Sequence, residues 1–157
     1  MIKGLGVDIV EIDRMREALR RHPRMRERVF SAEERAYCDK RNKPEVHYAL
    51  RFAAKEAVLK ALGTGFAGMS FQDVEVVRDA GGRPSPSLHG RAAEVAGELG
   101  VIEMHLSLSY THTTAVASAV AITESDRGSV PVDPARARAQ AFKEMRSIVD
   151  DVDDGGA

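Results

Sequence analysis

The sequence predicts an α+β domain, and three observations carry that prediction. A long helical pattern continues through Leu62, with an apolar stripe of Leu50, Ala53, Ala54, Ala57, Val58, Ala61 and Leu62. Two β-type runs, His105–Ser109 and Ala115–Ile122, lie close enough to pair as an antiparallel hairpin. A Val/Ile-rich run over residues 4–12 has the character of a buried strand.

The elements follow in order. Asp13 to about Arg21 is helical and stops before Pro23. Ser31-Ala32-Glu33-Glu34 has the form of a capping box, which starts a short helix running to about Lys40. Pro44 suits the first turn of the next helix, and Gly63 suits its stop. The small alanines of that helix allow close backbone approach. A strand over Val74–Arg78, a turn at Gly81-Gly82 and a short strand ending near Leu88 come next. A helix from about Gly90 to Leu99 ends at Gly100. The composition shifts after Glu124. Residues 125–134 read as a linker, 135–149 as a helix, and the acidic, Gly-ended remainder as frayed. The boundaries expected are therefore one domain over 1–124 and a tail over 125–157.

At 157 residues the chain is long enough to bury its own core, and its net charge is −1. That balance argues against a dedicated DNA-binding protein. No apolar run spans a membrane and no signal peptide opens the chain, so a cytoplasmic protein is expected. The single cysteine, Cys38, neither forms an internal disulfide nor builds a zinc site alone. It reads as a small helix residue.

The most informative stretch is Arg51–Gly65, RFAAKEAVLKALGTG. Glu56 and Lys60 project from one helix face, one turn apart. Alone, such a pair is an ordinary surface ion pair. Its surroundings raise it. Arg51 and Lys55 form a second i, i+4 pair, giving a basic edge around a single acid. Asp8, in an apolar strand where a lone carboxylate is costly, is the best second oxygen donor. Two carboxylates with waters and phosphate oxygens suit Mg²⁺. Gly63-Thr64-Gly65 lacks the order of a phosphate-binding P-loop, since its lysine precedes the glycines. It is a helix stop whose glycines also permit a ligand to approach the backbone.

Two further segments carry signals. Arg14, Arg16, Arg20, Arg21, Arg24, Arg26 and Arg28 are opposed within their segment only by Glu17 and Glu27. Charge runs are usually solvated faces, but in a near-neutral chain this segregation implies an acidic partner. Tyr110-Thr111-His112-Thr113-Thr114 joins the last two strands and is either a plain loop or the lining of a polar pocket.

Taken in order, GVDIVEIDR, RFAAKEAVLKALGTG, SFQDVEV, GRP and HLSLS resemble the holo-[acyl-carrier-protein] synthases, the small single-domain class of 4′-phosphopantetheinyl transferases. The resemblance covers about residues 2–124, and its FAAKEA-x-x-KA-x-GTG block is the specific part. It implies transfer of the phosphopantetheine arm of coenzyme A to a serine of an acyl carrier protein, with Mg²⁺ required and adenosine 3′,5′-bisphosphate released. It also implies an antiparallel sheet on a long central helix, in a homotrimer with interfacial active sites. Carried over by position, Asp8 and Glu56 become metal ligands. Lys60 becomes the charge that stabilises the pyrophosphate, or a proton acceptor. Arg51, Gly63, Thr64, Gly65, Arg83 and Pro84 become coenzyme A contacts. Arg14, Arg21 and Arg24 become the grip on the acidic carrier. Val10 stands where larger relatives carry a third acid, and water fills that place. Tyr110 stands where the family usually has His, with His112 two residues on, and either takes the nucleotide end. The proton acceptor is Glu56, a metal-bound water or Lys60. Two other readings remain at this level. A carrier-binding adaptor would lack catalysis, and a metal-dependent phosphohydrolase would release product with no protein acceptor.

Overall fold

The computed structural model describes residues 1–63, 65 and 68–124. The linker and helix expected over residues 125–157, and Thr64, lie outside them. The elements are β1 (Ile2–Glu11), α1 (Ile12–Arg21), α2 (Met25–Val29), α3 (Ala32–Asp39), α4 (Pro44–Leu62), a single 3₁₀ turn (Phe71–Asp73), β2 (Val74–Arg78), β3 (Pro84–Leu88), α5 (Gly90–Glu98), β4 (Val101–Tyr110) and β5 (Thr114–Thr123). Among the described residues these form two antiparallel sheets. One has the order β1-β5-β4, and the other is the β2-β3 hairpin.

The start and stop signals act as expected. Ser31 accepts from the Glu34 backbone N–H at 3.1 Å, and Glu34 accepts from the Ser31 backbone N–H at 3.0 Å, closing the box. Pro44 opens α4, and Gly63 ends it in the left-handed region at φ 74°. The predicted hairpin pairs Leu106 with Ala119 and Ser109 with Val116.

α4 lies across the three-stranded sheet. Ala115, Ala117, Ala119 and Ala121 of β5 all face it and are fully buried. Their small side chains let the helix sit close, so Ala57, Val58, Leu59 and Leu62 pack into a continuous core with Val74, Val76 and Val95. A second cluster of Ile12, Met15, Leu19, Phe30, Tyr48 and Leu50 locks α1 and α3 to the first half of α4.

Two expectations are corrected. β1 is not a buried strand. Leu5 is 65 % exposed and Ile9 64 % exposed, because only the face carrying Gly4, Gly6, Asp8 and Val10 meets α4. Nor does Lys55 belong to a basic edge. It is fully buried, pairs with the equally buried Glu34 at 2.8 Å, and donates to the carbonyls of Phe71 and Val74. Lys55 lies on the side of α4 that packs under α3 and β2, where an ammonium survives only by using all its donors.

Candidate active site

The site begins with two glycines. A Cβ at Gly4 would stand 1.9 Å from the Ala61 carbonyl oxygen, and one at Gly6 would stand 1.8 Å from that of Ala57. No other residue fits in either place, so β1 lies directly on the backbone of α4. Asp8 comes two residues after Gly6 on the same strand face. β1 thus runs from Ala61 toward Ala57 along α4, which carries Asp8 to the Glu56 side of Ala57.

Lys60 reaches back toward the helix N-terminus to meet Asp8. Its Nζ donates to Asp8 Oδ1 at 2.7 Å and to the Val7 carbonyl at 3.0 Å. Glu56 lies one turn earlier on the same helix face. From Arg51 to Leu62, only Phe52, Glu56 and Lys60 are not buried, a stripe at i, i+4 and i+8. Burial pushes the Glu56 carboxyl above its ordinary value, the Asp8 carboxylate adds to that shift, and Lys60 opposes it. Two carboxylates thus share one negative neighbourhood with one ammonium beside them. Among the described residues Glu56 makes no ion pair or hydrogen bond of its own, so its oxygens are available to a ligand.

The donor set fits a hard cation. No group of three or more His, Cys, Asp or Glu residues is found among the described residues. Two carboxylates would leave the remaining positions of such an ion to water and substrate oxygens, as Mg²⁺ accepts.

The remaining predicted residues divide by position. Gly63 and Gly65 have φ values of 74° and 56°, so the chain leaving α4 needs glycine at both places. Arg51 is 4 % exposed and does not point into solvent; its guanidinium lies 3.9 Å from the centre of the Tyr37 ring. Arg83, in the β2–β3 turn, is held by Asp79 at 2.9 Å and precedes Pro84, the first residue of β3. Tyr110 ends β4 with 58 % exposure, and His112 lies in the turn that follows.

The basic N-terminal segment is partly self-neutralised. Arg16 pairs with Asp13 and Glu45, Arg20 and Arg21 with Glu17, and Arg26 with Asp39. Arg14, Arg24 and Arg28 have no carboxylate partner among the described residues. Arg21, Arg24 and Arg28 rim a cavity of about 1100 Å³ whose floor includes Met25, Val29 and Phe71. Phe71 touches Phe52 of the open α4 stripe, one turn before Glu56, with ring centres 5.1 Å apart, although Asp8, Glu56 and Lys60 do not themselves line the cavity. Gly4 and Gly6 were not singled out by sequence reasoning, and Arg28 entered it only as one member of the arginine run. Two glycines at strand spacing on one face of β1 are the signal that marks a close helix approach.

Against this geometry, the chain matches the model of the 4′-phosphopantetheinyl transferase superfamily over residues 4–119, and it belongs to that family. It is 52 % identical over 120 residues to the holo-[acyl-carrier-protein] synthase of Moorella thermoacetica, covering 76 % of this chain and 92 % of the relative. The crystal structure of the Neisseria meningitidis holo-[acyl-carrier-protein] synthase superposes with TM-score 0.71 at 34 % identity, over 78 % of this chain and 100 % of that one. The Helicobacter pylori enzyme in complex with coenzyme A superposes with TM-score 0.66 at 28 % identity, over 75 % and 99 %.

Proposed function

We propose that this chain transfers the 4′-phosphopantetheine arm of coenzyme A to a serine of an apo acyl carrier protein, giving the holo carrier and adenosine 3′,5′-bisphosphate. One observation carries the reading. The glycine-seated strand delivers Asp8 to Lys60 at 2.7 Å, beside Glu56, on a chain of this family. The Moorella relative is a holo-[acyl-carrier-protein] synthase and the Helicobacter relative binds coenzyme A.

The nucleophile belongs to the carrier, so the chain needs none. The serine oxygen bonds to the β-phosphorus as the bridging oxygen leaves with the α-phosphate. Asp8 and Glu56 would hold Mg²⁺, which supplies neutralisation of the diphosphate's charge when bound. Lys60 supplies a second positive charge at the leaving phosphate. The serine proton passes to Glu56, to a water or, where it enters the step as the neutral amine, to Lys60. Gly63, Thr64 and Gly65 let the nucleotide approach the backbone. Arg51, Arg83, Pro84, Tyr110 and His112 complete the coenzyme contacts in this reading. Arg14, Arg21 and Arg24 grip the acidic carrier, and the basic-rimmed cavity supports that assignment.

A homotrimer is part of the proposal. Its support is the outer face of β1, where Ile2, Leu5, Val7 and Ile9 form an exposed apolar row among the described residues. A cytoplasmic location goes with it, as expected of an enzyme whose coenzyme and carrier are both water-soluble. No helix among the described residues is long and apolar enough to cross a membrane.

The test is mass spectrometry of an apo carrier protein after incubation with the chain, coenzyme A and Mg²⁺. The expected result is a gain of about 340 Da at one serine, the mass of the transferred arm. An unchanged carrier refutes the reading. Adenosine 3′,5′-bisphosphate released without any carrier present points instead to a hydrolase.

A further inference from the structure

Lys60 does more in this structure than stand near a phosphate site. Its ammonium is anchored twice, to Asp8 Oδ1 at 2.7 Å and to the Val7 carbonyl at 3.0 Å. Asp8 Oδ1 is therefore already used. Yet the Lys60 side chain is 51 % exposed while that of Asp8 is only 16 % exposed, so the lysine can swing away and the aspartate cannot follow. Glu56 has no ammonium of its own. A divalent cation entering between the two carboxylates meets an ammonium already bonded to one of them.

We propose that Lys60 is the resident counter-ion of the Asp8–Glu56 pair. It competes with the divalent cation for Asp8 until the coenzyme's diphosphate draws it away, so cation and coenzyme binding are coupled through this one side chain. This rests on the metal-site reading above. The coupling is reciprocal: whatever factor the coenzyme adds to cation affinity, the cation adds to coenzyme affinity. The chemistry requires the diphosphate, because only a multiply charged oxyanion offers an ammonium more than Asp8 does.

The sign of the effect is testable. Removing Lys60 removes both a competitor and a repelling charge. Lys60→Met should bind Mn²⁺ about tenfold more tightly than the wild type in the absence of coenzyme, a charge effect moderated by solvent. Lys60→Arg, which keeps the charge, should stay near the wild-type value. The measurement is the free Mn²⁺ electron paramagnetic resonance signal, titrated with and without coenzyme A. Coenzyme A should strengthen Mn²⁺ binding by a larger factor in the wild type than in Lys60→Met. Equal or weaker Mn²⁺ binding by Lys60→Met, in a wild type that binds Mn²⁺ and transfers the arm, overturns this proposal alone. No Mn²⁺ binding by the wild type even with coenzyme A overturns the metal-site reading and this proposal together.

Discussion

Gly6→Ala probes the step that builds the site. The added Cβ would stand 1.8 Å from the Ala57 carbonyl oxygen and 2.8 Å from the Ala61 backbone N. Both obstacles are backbone in the middle of a buried helix, so neither can rotate away. Restoring a separation of about 3 Å requires β1 to lift by about 1.2 Å, a strain of roughly 1–3 kcal/mol or more by the usual cost of overpacking. Asp8 moves with the strand, while Glu56 and Lys60 stay on α4. A misplacement of about 1 Å at a reacting group costs about 10²-fold in rate. Gly6→Ala should therefore lower the urea midpoint and reduce kcat/KM for arm transfer by about two orders of magnitude. The rate loss should persist well below the unfolding transition, where the variant is still folded. A variant with wild-type stability and rate would refute the argument that the glycine seat sets the position of Asp8.

Other outcomes follow from the same structure. Lys55→Met leaves Glu34 buried without its ammonium and should cost about 3–5 kcal/mol in denaturant titration. Adding Glu34→Gln should recover part of it, because the neutral amide removes the unpaired buried charge, although its single oxygen can accept from only one of the Ser31 and Val76 N–H groups that now use separate Glu34 oxygens. Burial pushes the Cys38 thiol up to about 12, so iodoacetamide should label it in urea and leave the native chain unmodified at pH 8. Glu56 is raised above its ordinary value, so the folded chain holds that proton more tightly than the unfolded one. Its contribution to stability is fully present below the ordinary carboxylate range, falls as pH rises through the shifted value, and leaves a penalty above it. In EDTA, Glu56→Gln should melt higher than the wild type at pH 8, and the difference should close near pH 4.

Local signals made much of the fold legible. Ser31 with Glu34, Pro44 with Gly63, and the alternation over 105–109 and 115–122 each depend on neighbours in sequence, and each marked its element. Failures arose where a distant residue decides. Lys55 beside Arg51 looks like an exposed basic pair, and only Glu34, supplied by α3, shows that it is buried. Glu34 itself read as a capping residue, although its carboxylate also accepts from Val76 N at 2.9 Å. The Val and Ile residues of β1 read as buried, but strand composition does not say which face a helix will cover. α2, at five residues, is shorter than the span over which periodicity can be read. For the site, the i, i+4 relation of Glu56 and Lys60 followed from helix geometry. That Asp8 joins the Glu56–Lys60 face was read from the cost of a lone carboxylate in an apolar strand and from the resemblance; its bond to Lys60, 52 positions away in sequence, was not foreseen and depends on the close approach at Gly4 and Gly6.

The central claim is that Asp8 and Glu56 act together on one divalent ion during arm transfer. The most direct test compares wild type and Glu56→Gln in single-turnover modification of an apo carrier protein, with Mg²⁺ varied and carrier mass as the readout. Mg²⁺-dependent conversion by the wild type, and none by a folded Glu56→Gln at any Mg²⁺ concentration, is the predicted result. Full-rate transfer by Glu56→Gln, with an unchanged Mg²⁺ requirement, would contradict it.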